Sequence, residues 1–140
     1  ALVARRIGQV GVVACAHRSY LERRGRPAHP MDLLEHDLVG NDQTQEIPRG
    51  FAAMGQSVGP EHFALRTDDL MAYWAAVRAG LGIGFVAAYM LREDTGVVQV
   101  LPALAIAPLP AWLVVHREIR ASRRIRAVYD FLARELPPLL

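Results

Sequence analysis

The chain has 140 residues, enough for about one domain with a single core, and no apolar run approaches the ~20 residues that a membrane span requires. All 16 basic residues are arginine and the formal net charge is +2, too small to imply nucleic-acid binding by itself. The single cysteine excludes an internal disulfide and fits a reducing, cytoplasmic setting, and residues 1–9 lack the basic-then-apolar pattern of a signal peptide.

Taken in chain order, residues 10–16 are a short apolar run, the pattern of a buried strand, with Cys15 as an inert buried thiol. A short helix over 19–24 ends at Gly25. Pro27 and Pro30 punctuate a loop, and Pro30 suits the first turn of a helix reaching Glu35. Residues 38–40 read as a brief strand and 41–48 as a polar loop. Residues 51–54 and 62–66 flank the turn-rich segment 55–60, which suggests a hairpin.

The segment 65–91 is the most informative. Thr67 and Asp68 can cap exposed helix N–H groups, and Asp69 suits the positive helix end. Leu70, Tyr73, Trp74 and Val77 then fall on one helix face. Gly80 stops the helix, and Gly82-Ile83-Gly84-Phe85-Val86 reads as a buried strand whose glycines admit a close neighbour. A phosphate-binding loop runs strand, glycines, helix; here the glycines follow the helix, so nucleotide binding is not indicated. Strands at 97–101 and 112–116 follow. A closing helix over 122–135 carries an apolar stripe at Ile125, Val128, Tyr129, Leu132 and Leu136. Strands alternating with helices argue an α/β fold.

Several constellations compete for a chemical role. Gly55-Gln56-Ser57-Val58-Gly59 matches the G-x-S-x-G nucleophile elbow, with Asp94 and His116 in the order of a hydrolase triad. An elbow needs a strand before it and a helix after it; Pro60 and an expected strand follow instead, so a turn is favoured. The five histidines show no metal-ligand spacing, and neither metal nor cofactor is indicated. Arg117, Arg120, Arg123, Arg124 and Arg126 cluster without interleaved aromatics, the pattern of a solvated helix face. Arg123 and Arg124 fall in a first helical turn, where a carboxylate partner would relieve the unfavourable dipole. His17, Arg18 and Ser19 stand where a strand gives way to a helix, and Thr67 and Asp68 stand at a second helix start; such junctions suit anions.

Four segments in register carry a family resemblance. Residues 65–91 resemble D-x-x-A-x-x-x-A-x-x-A-G-x-G-I-x-x-x-P, and 27–39, PAHPMDLLEHDLV, look like P-x-x-P-x-D-L-x-x-H-x-x-(L/I). Residues 12–26 look like a strand-loop-helix opening, and 117–132 like a closing helix worded S-x-R-(V/I)-R-A-x-x-D-F-L. Together they resemble the effector-binding domain of LysR-type transcriptional regulators. The resemblance implies an α/β, periplasmic-binding-protein-like (type 2) effector domain, mainly its second lobe. Residues 1–9 would be a remnant of the first lobe, 10–116 the second lobe with its crossing strands, and 117–140 the closing segment and helix. It implies a sensor rather than an enzyme, a homo-oligomer, and DNA contact only through an N-terminal domain outside this chain.

The implied effector is a carboxylate or aromatic metabolite. Its expected contacts are His17, Arg18, Ser19, Asn41, Asp42, Thr67 and Asp68, with Phe85 and Val86 as an apolar wall and Arg18 as the carboxylate clamp. The sequence departs from the pattern at His17-Arg18, where Ser-Pro is usual, and at Ala87 or Ala88, where Pro is common. The alternatives are a solute-binding lobe of a transport protein and, less favoured, a serine hydrolase using Ser57. With the first lobe absent, Ile125, Val128 and Leu132 are expected to face water and to promote self-association.

Overall fold

A computed structural model describes residues 1–140. Its elements are β1 (Leu2–Val10), β2 (Val12–His17), α1 (Arg18–Arg24), β3 (Leu38–Gly40), α2 (Glu46–Ala53), β4 (Phe63–Arg66), α3 (Leu70–Arg78), β5 (Gly84–Ala87), β6 (Val97–Gln99), β7 (Leu109–His116) and α4 (Arg123–Glu135), with single-turn 3₁₀ segments between them. They form two compact units. One comprises Ala1–Val12, Ala87–Tyr89 and Ile106–Leu140; the other comprises Val13–Val86 and Met90–Ala105. This division differs from the expected boundaries at residues 10 and 116. The reason is hydrogen bonding: β7 pairs antiparallel with β1 along its length, from Leu2 opposite His116 to Val10 opposite Leu109. The strand expected to belong with residues 10–116 is therefore bound to 1–12.

The larger unit is built on a sheet of alternating short strands. β3 and β4 pair in parallel, and β2 lies between β5 and β6. A parallel bridge from Leu38 to Ile83 joins the two groups, with Val39 N–H donating to Ile83 O (2.8 Å) and Ile83 N–H to Asp37 O (2.9 Å). The order is thus β4-β3-β5-β2-β6. Successive residues of each strand feed opposite faces. Ala14, Ala16, Leu38 and Ile83 join Tyr20, Leu33 and Phe51 on one face; Cys15, Val39 and Val86 join Tyr73, Ala76 and Val77 on the other.

β2 runs against its neighbours. It pairs antiparallel with β6, Cys15 opposite Gln99 and His17 opposite Val97. Its end also lies beside the approach to β5: a Cβ on Gly80 would sit 2.6 Å from Ser19 Oγ, and Arg23 donates to Gly80 O (3.1 Å). So the carboxyl ends of β3 and β4 lie at one edge of the sheet, and the carboxyl end of β2 lies at the opposite edge.

Three local expectations change. Residues 46–53, expected partly as loop and partly as strand, form α2. Pro48 is tolerated in its first turn, where a backbone N–H would lack a helical acceptor. Residues 51–54 and 62–66 form no hairpin, because β4 pairs in parallel with β3 and parallel strands need a crossover, which α2 supplies. The helix anticipated from Pro30 is a 3₁₀ segment, Pro30–Glu35.

Helix α3 begins one residue later than expected. Asp69 is its N-cap, its Oδ1 accepting from Met71 N–H (2.8 Å) and Ala72 N–H (3.1 Å). Its buried side chains are Tyr73, Ala76 and Val77, whereas Leu70, expected on that face, is 81% exposed. Gly80 ends the helix at φ +76°, a conformation that strains other residues. The glycines of the following strand serve packing: a Cβ on Gly84 would lie 2.5 Å from Val77 Cγ2, and one on Gly82 2.5 Å from Asp37 O.

In the smaller unit α4 packs against β7. Ile125, Tyr129 and Leu132 are half-buried in cis, contrary to the expectation that Ile125 and Leu132 face water; Val128 is 59% exposed, as anticipated.

Two stability predictions follow from buried hydroxyls. The Tyr73 hydroxyl donates to Val39 O (3.0 Å) and accepts from Phe85 N–H (2.8 Å). Tyr73→Phe leaves both backbone groups unsatisfied and should lower unfolding stability by about 1–3 kcal/mol in urea titration.

Tyr20 Oη accepts from Asp37 N–H (3.1 Å) and lies 2.7 Å from His36 Nδ1. Desolvation, and then the nearby Arg24 charge, hold the His36 imidazole below its ordinary value, so neutral Nδ1 is free to accept the phenol proton. The unfolded chain then takes up this proton at higher pH than the folded one. The stability contributed is complete above about pH 6.5 and is lost as pH falls through the lowered folded value. Urea titrations across that range should show stability falling toward acid, and His36→Gln should flatten the slope.

Candidate functional site

The parallel pairing of β3 and β4 ends with Gly40 beside Arg66 and Thr67 N–H donating to Gly40 O (2.9 Å). Two loops leave the sheet there. One carries Asn41 and Asp42, the other Thr67 and Asp68, so four of the sequence-predicted contacts come together. Asp68 joins the loops: its Oδ1 accepts from Asp42 N–H (2.8 Å) and Gln43 N–H (2.9 Å). Asn41 Oδ1 accepts from Thr44 N–H (3.1 Å) and Thr44 Oγ1 (3.0 Å). Thr67 Oγ1 accepts from Asp69 N–H (3.2 Å). Asp68 therefore acts by fixing a neighbouring loop, not by capping α3.

A cavity of about 170 Å³ opens beside these loops. Its rim is polar, with Asn41, Asp42, Thr44, Gln45 and Arg66; its wall is apolar, with Ile47, Pro48, Val58, Pro60 and Phe63. Arg66 Nη1 lies 3.3 Å from Asp42 Oδ1, and both side chains are substantially exposed. A guanidinium has five donors, so one ion pair leaves most of them available. The amide N–H₂ of Asn41 also has no partner. The arrangement can therefore bind a small anion with an apolar body. Neighbouring α3 opens with Leu70 and Met71, 81% and 78% exposed. Sequence reasoning passed over Arg66, although it stands at a strand end directly before Thr67 and Asp68.

The remaining predicted contacts lie elsewhere. His17, Arg18 and Ser19 occupy the opposite sheet edge. His17 Nδ1 accepts from Ser19 N–H (3.0 Å) and lies 2.7 Å from Ser19 Oγ, capping α1 locally. Arg18 lies 3.9 Å from Asp94, a loose exposed pair of small energetic worth. Val86 is buried in the core, so it offers no wall; Phe85 is half-buried against the other core cluster. Ser57 is exposed between α2 and β4, which is helix before and strand after, the reverse of a nucleophile elbow. No group of three or more His, Cys, Asp or Glu side chains is placed to hold a metal ion, and no helix is long and apolar enough to cross a membrane.

Residues 1–137 match the LysR substrate binding domain family. The chain is 30% identical to the probable HTH-type transcriptional regulator LtrA of Klebsiella pneumoniae over 91% of its own length and 44% of that protein. It is 31% identical to the HTH-type transcriptional regulator YhjC of Escherichia coli K12 over 94% of its length and 46% of that protein. Among solved structures, the regulatory domain of CrgA from Neisseria meningitidis, a LysR-type transcriptional regulator, superimposes with a TM-score of 0.81 at 22% identity, covering 96% of this chain and 69% of that one. Full-length AphB, the Vibrio cholerae virulence activator, gives 0.71 at 25% identity, covering 94% and 46%.

This chain belongs to the LysR substrate-binding domain family, with the periplasmic-binding-protein-like type 2 fold of its regulatory domains. It is an effector-binding domain of the transcriptional-regulator type, and the family is one of regulators, not enzymes. The chain spans less than half the length of the curated relatives it matches.

Burial makes Cys15 inert within this frame: desolvation pushes its thiol up to about 12, and the side chain is fully buried. Iodoacetamide at about pH 8 should leave native protein unmodified and label Cys15 only after unfolding, as mass spectrometry would show.

Proposed function

We propose that this chain senses a small carboxylate at the carboxyl ends of β3 and β4 and that effector binding there regulates transcription. The observation that supports it most is Arg66, whose guanidinium borders a cavity with polar rim and apolar wall, at the strand ends where open α/β sheets bind ligands. In this reading Arg66 takes the acid group and Asn41 donates its amide. Ile47, Val58 and Phe63 receive the apolar body. Asp68 holds the Asp42 loop in place. Ligand binding regulates by favouring one of two conformations, which requires different affinities for them and no chemistry. DNA contact through a segment outside this chain, supported by the HTH-type regulators it resembles, completes the reading, together with assembly into a homo-oligomer and a cytoplasmic location.

A transcriptional reporter driven by the full-length regulator, challenged with a panel of small carboxylates, tests this. Arg66→Gln should raise the concentration of the active carboxylate needed for half-response by about tenfold or more, the worth of a charge-assisted hydrogen bond. Arg18→Gln should leave it unchanged. The reverse result would move the effector to the other sheet edge.

A further inference from the structure

The smaller unit carries a second concavity that the effector reading does not use. It is a cavity of about 290 Å³ between the β1–β7 ribbon and α4. Arg5 of β1, Arg120 after β7 and Arg126 of α4 line it. None of the three guanidinium groups has a hydrogen bond, an ion pair or a ring contact. Six other arginines, Arg6, Arg49, Arg78, Arg117, Arg123 and Arg124, also lack a side-chain partner, so what sets these three apart is that they line one concavity; all three are exposed there. The one carboxylate on the lining, Asp130, is also unpaired and lies beyond 4 Å of any guanidinium. Three cations and one anion leave the lining with a net charge of +2. Ile125 and the ring of Tyr129 supply an apolar side.

Like charges gathered on one concave surface repel one another, and a cleft of single sign concentrates counter-ions. The cost is offset when a ligand brings the missing negative charge. A planar guanidinium pairs best with a planar carboxylate, through two parallel hydrogen bonds. The first turn of α4 adds to the same positive field, since it holds no acidic residue and Ser122 makes no side-chain cap. From the cavity, its unpaired guanidinium groups and its net charge, we infer that the β1–β7–α4 cavity is a binding site for a small organic dicarboxylate, separate from the β3–β4 site. Two acid groups match the charge, and a short hydrocarbon link fits against Ile125 and Tyr129. The inference does not depend on the effector reading, because the two cavities share no residue.

Succinate is the probe, titrated calorimetrically into the full-length protein at physiological salt. The wild type should bind it saturably. Arg126→Gln, a substitution on the helix surface, should weaken binding by about tenfold or more, and Arg5→Gln likewise. Asp130→Asn removes the opposing charge and should tighten binding. Arg49→Gln, which removes an exposed arginine of the larger unit, should leave it unchanged. Thermal unfolding of each variant distinguishes lost binding from lost fold, and Asp130→Asn tests the site even where an arginine variant unfolds. No saturable binding, equal weakening by Arg49→Gln, or sulfate binding as tightly as succinate would overturn the assignment. Loss of succinate binding in Arg66→Gln alone would place the dicarboxylate at the β3–β4 cavity and likewise overturn it.

Discussion

The sheet of the larger unit is held together at a point where its ladder lapses. β3 and β5 share only the bridge between Leu38 and Ile83 and the backbone bonds beside it. Past Val39 the strands separate, and Val39 O and Phe85 N–H would face each other without a partner. Tyr73 fills the gap: its hydroxyl accepts from one and donates to the other. Desolvation raises the phenol's proton affinity, so it stays neutral and keeps the proton it donates. The packing around it is shaped to fit. Gly84 has no side chain because Val77 and the Tyr73 ring occupy the space. The spacing between β3 and β5, and with it the position of the β3 end that carries Asn41 and Asp42, follows from one helix side chain.

Much of this was legible in the sequence where the signal was local. The stop at Gly80 and the close packing of the strand after it follow from glycine chemistry; the apolar run at 10–16 is buried only over Ala14–Ala16, since Val10 ends β1 and β2 begins at Val12 after exposed Gly11. The helix cap was nearly right: Asp69 performs the role assigned to Thr67 and Asp68, and a cap cannot be placed to the residue by composition when three candidates stand in a row. What was not legible was long-range. Asp68 bonds to backbone groups 25 and 26 residues away. Helix α2 was hidden by Pro48 and Gly50, which lower helical propensity although the first turn tolerates a proline.

Strand direction was the other blind spot, and it bears on the site. A strand-to-helix junction looks the same in sequence whichever way the strand runs. His17-Arg18-Ser19 and Thr67-Asp68 therefore read as equivalent. The antiparallel placement of β2 puts the first group beside Gly80 and Gly96 and leaves the second at the edge with the cavity. Leu70 failed as a core residue for a related reason: helical periodicity gives a face but not its extent, and burial on α3 begins only at Tyr73.

The same placement of β2 has a consequence for synthesis at the ribosome. β2 is the first strand of the larger unit to emerge, yet both its neighbours, β5 and β6, are among the last. Cys15 cannot meet Gln99 until nearly the whole unit has been translated. Until then an apolar strand with two open edges waits without partners, the kind of segment that invites pairing between nascent chains. Topology of this sort, dominated by distant pairings, also slows folding. A regulator carrying this domain would thus depend on chaperone cover during translation more than its modest size suggests.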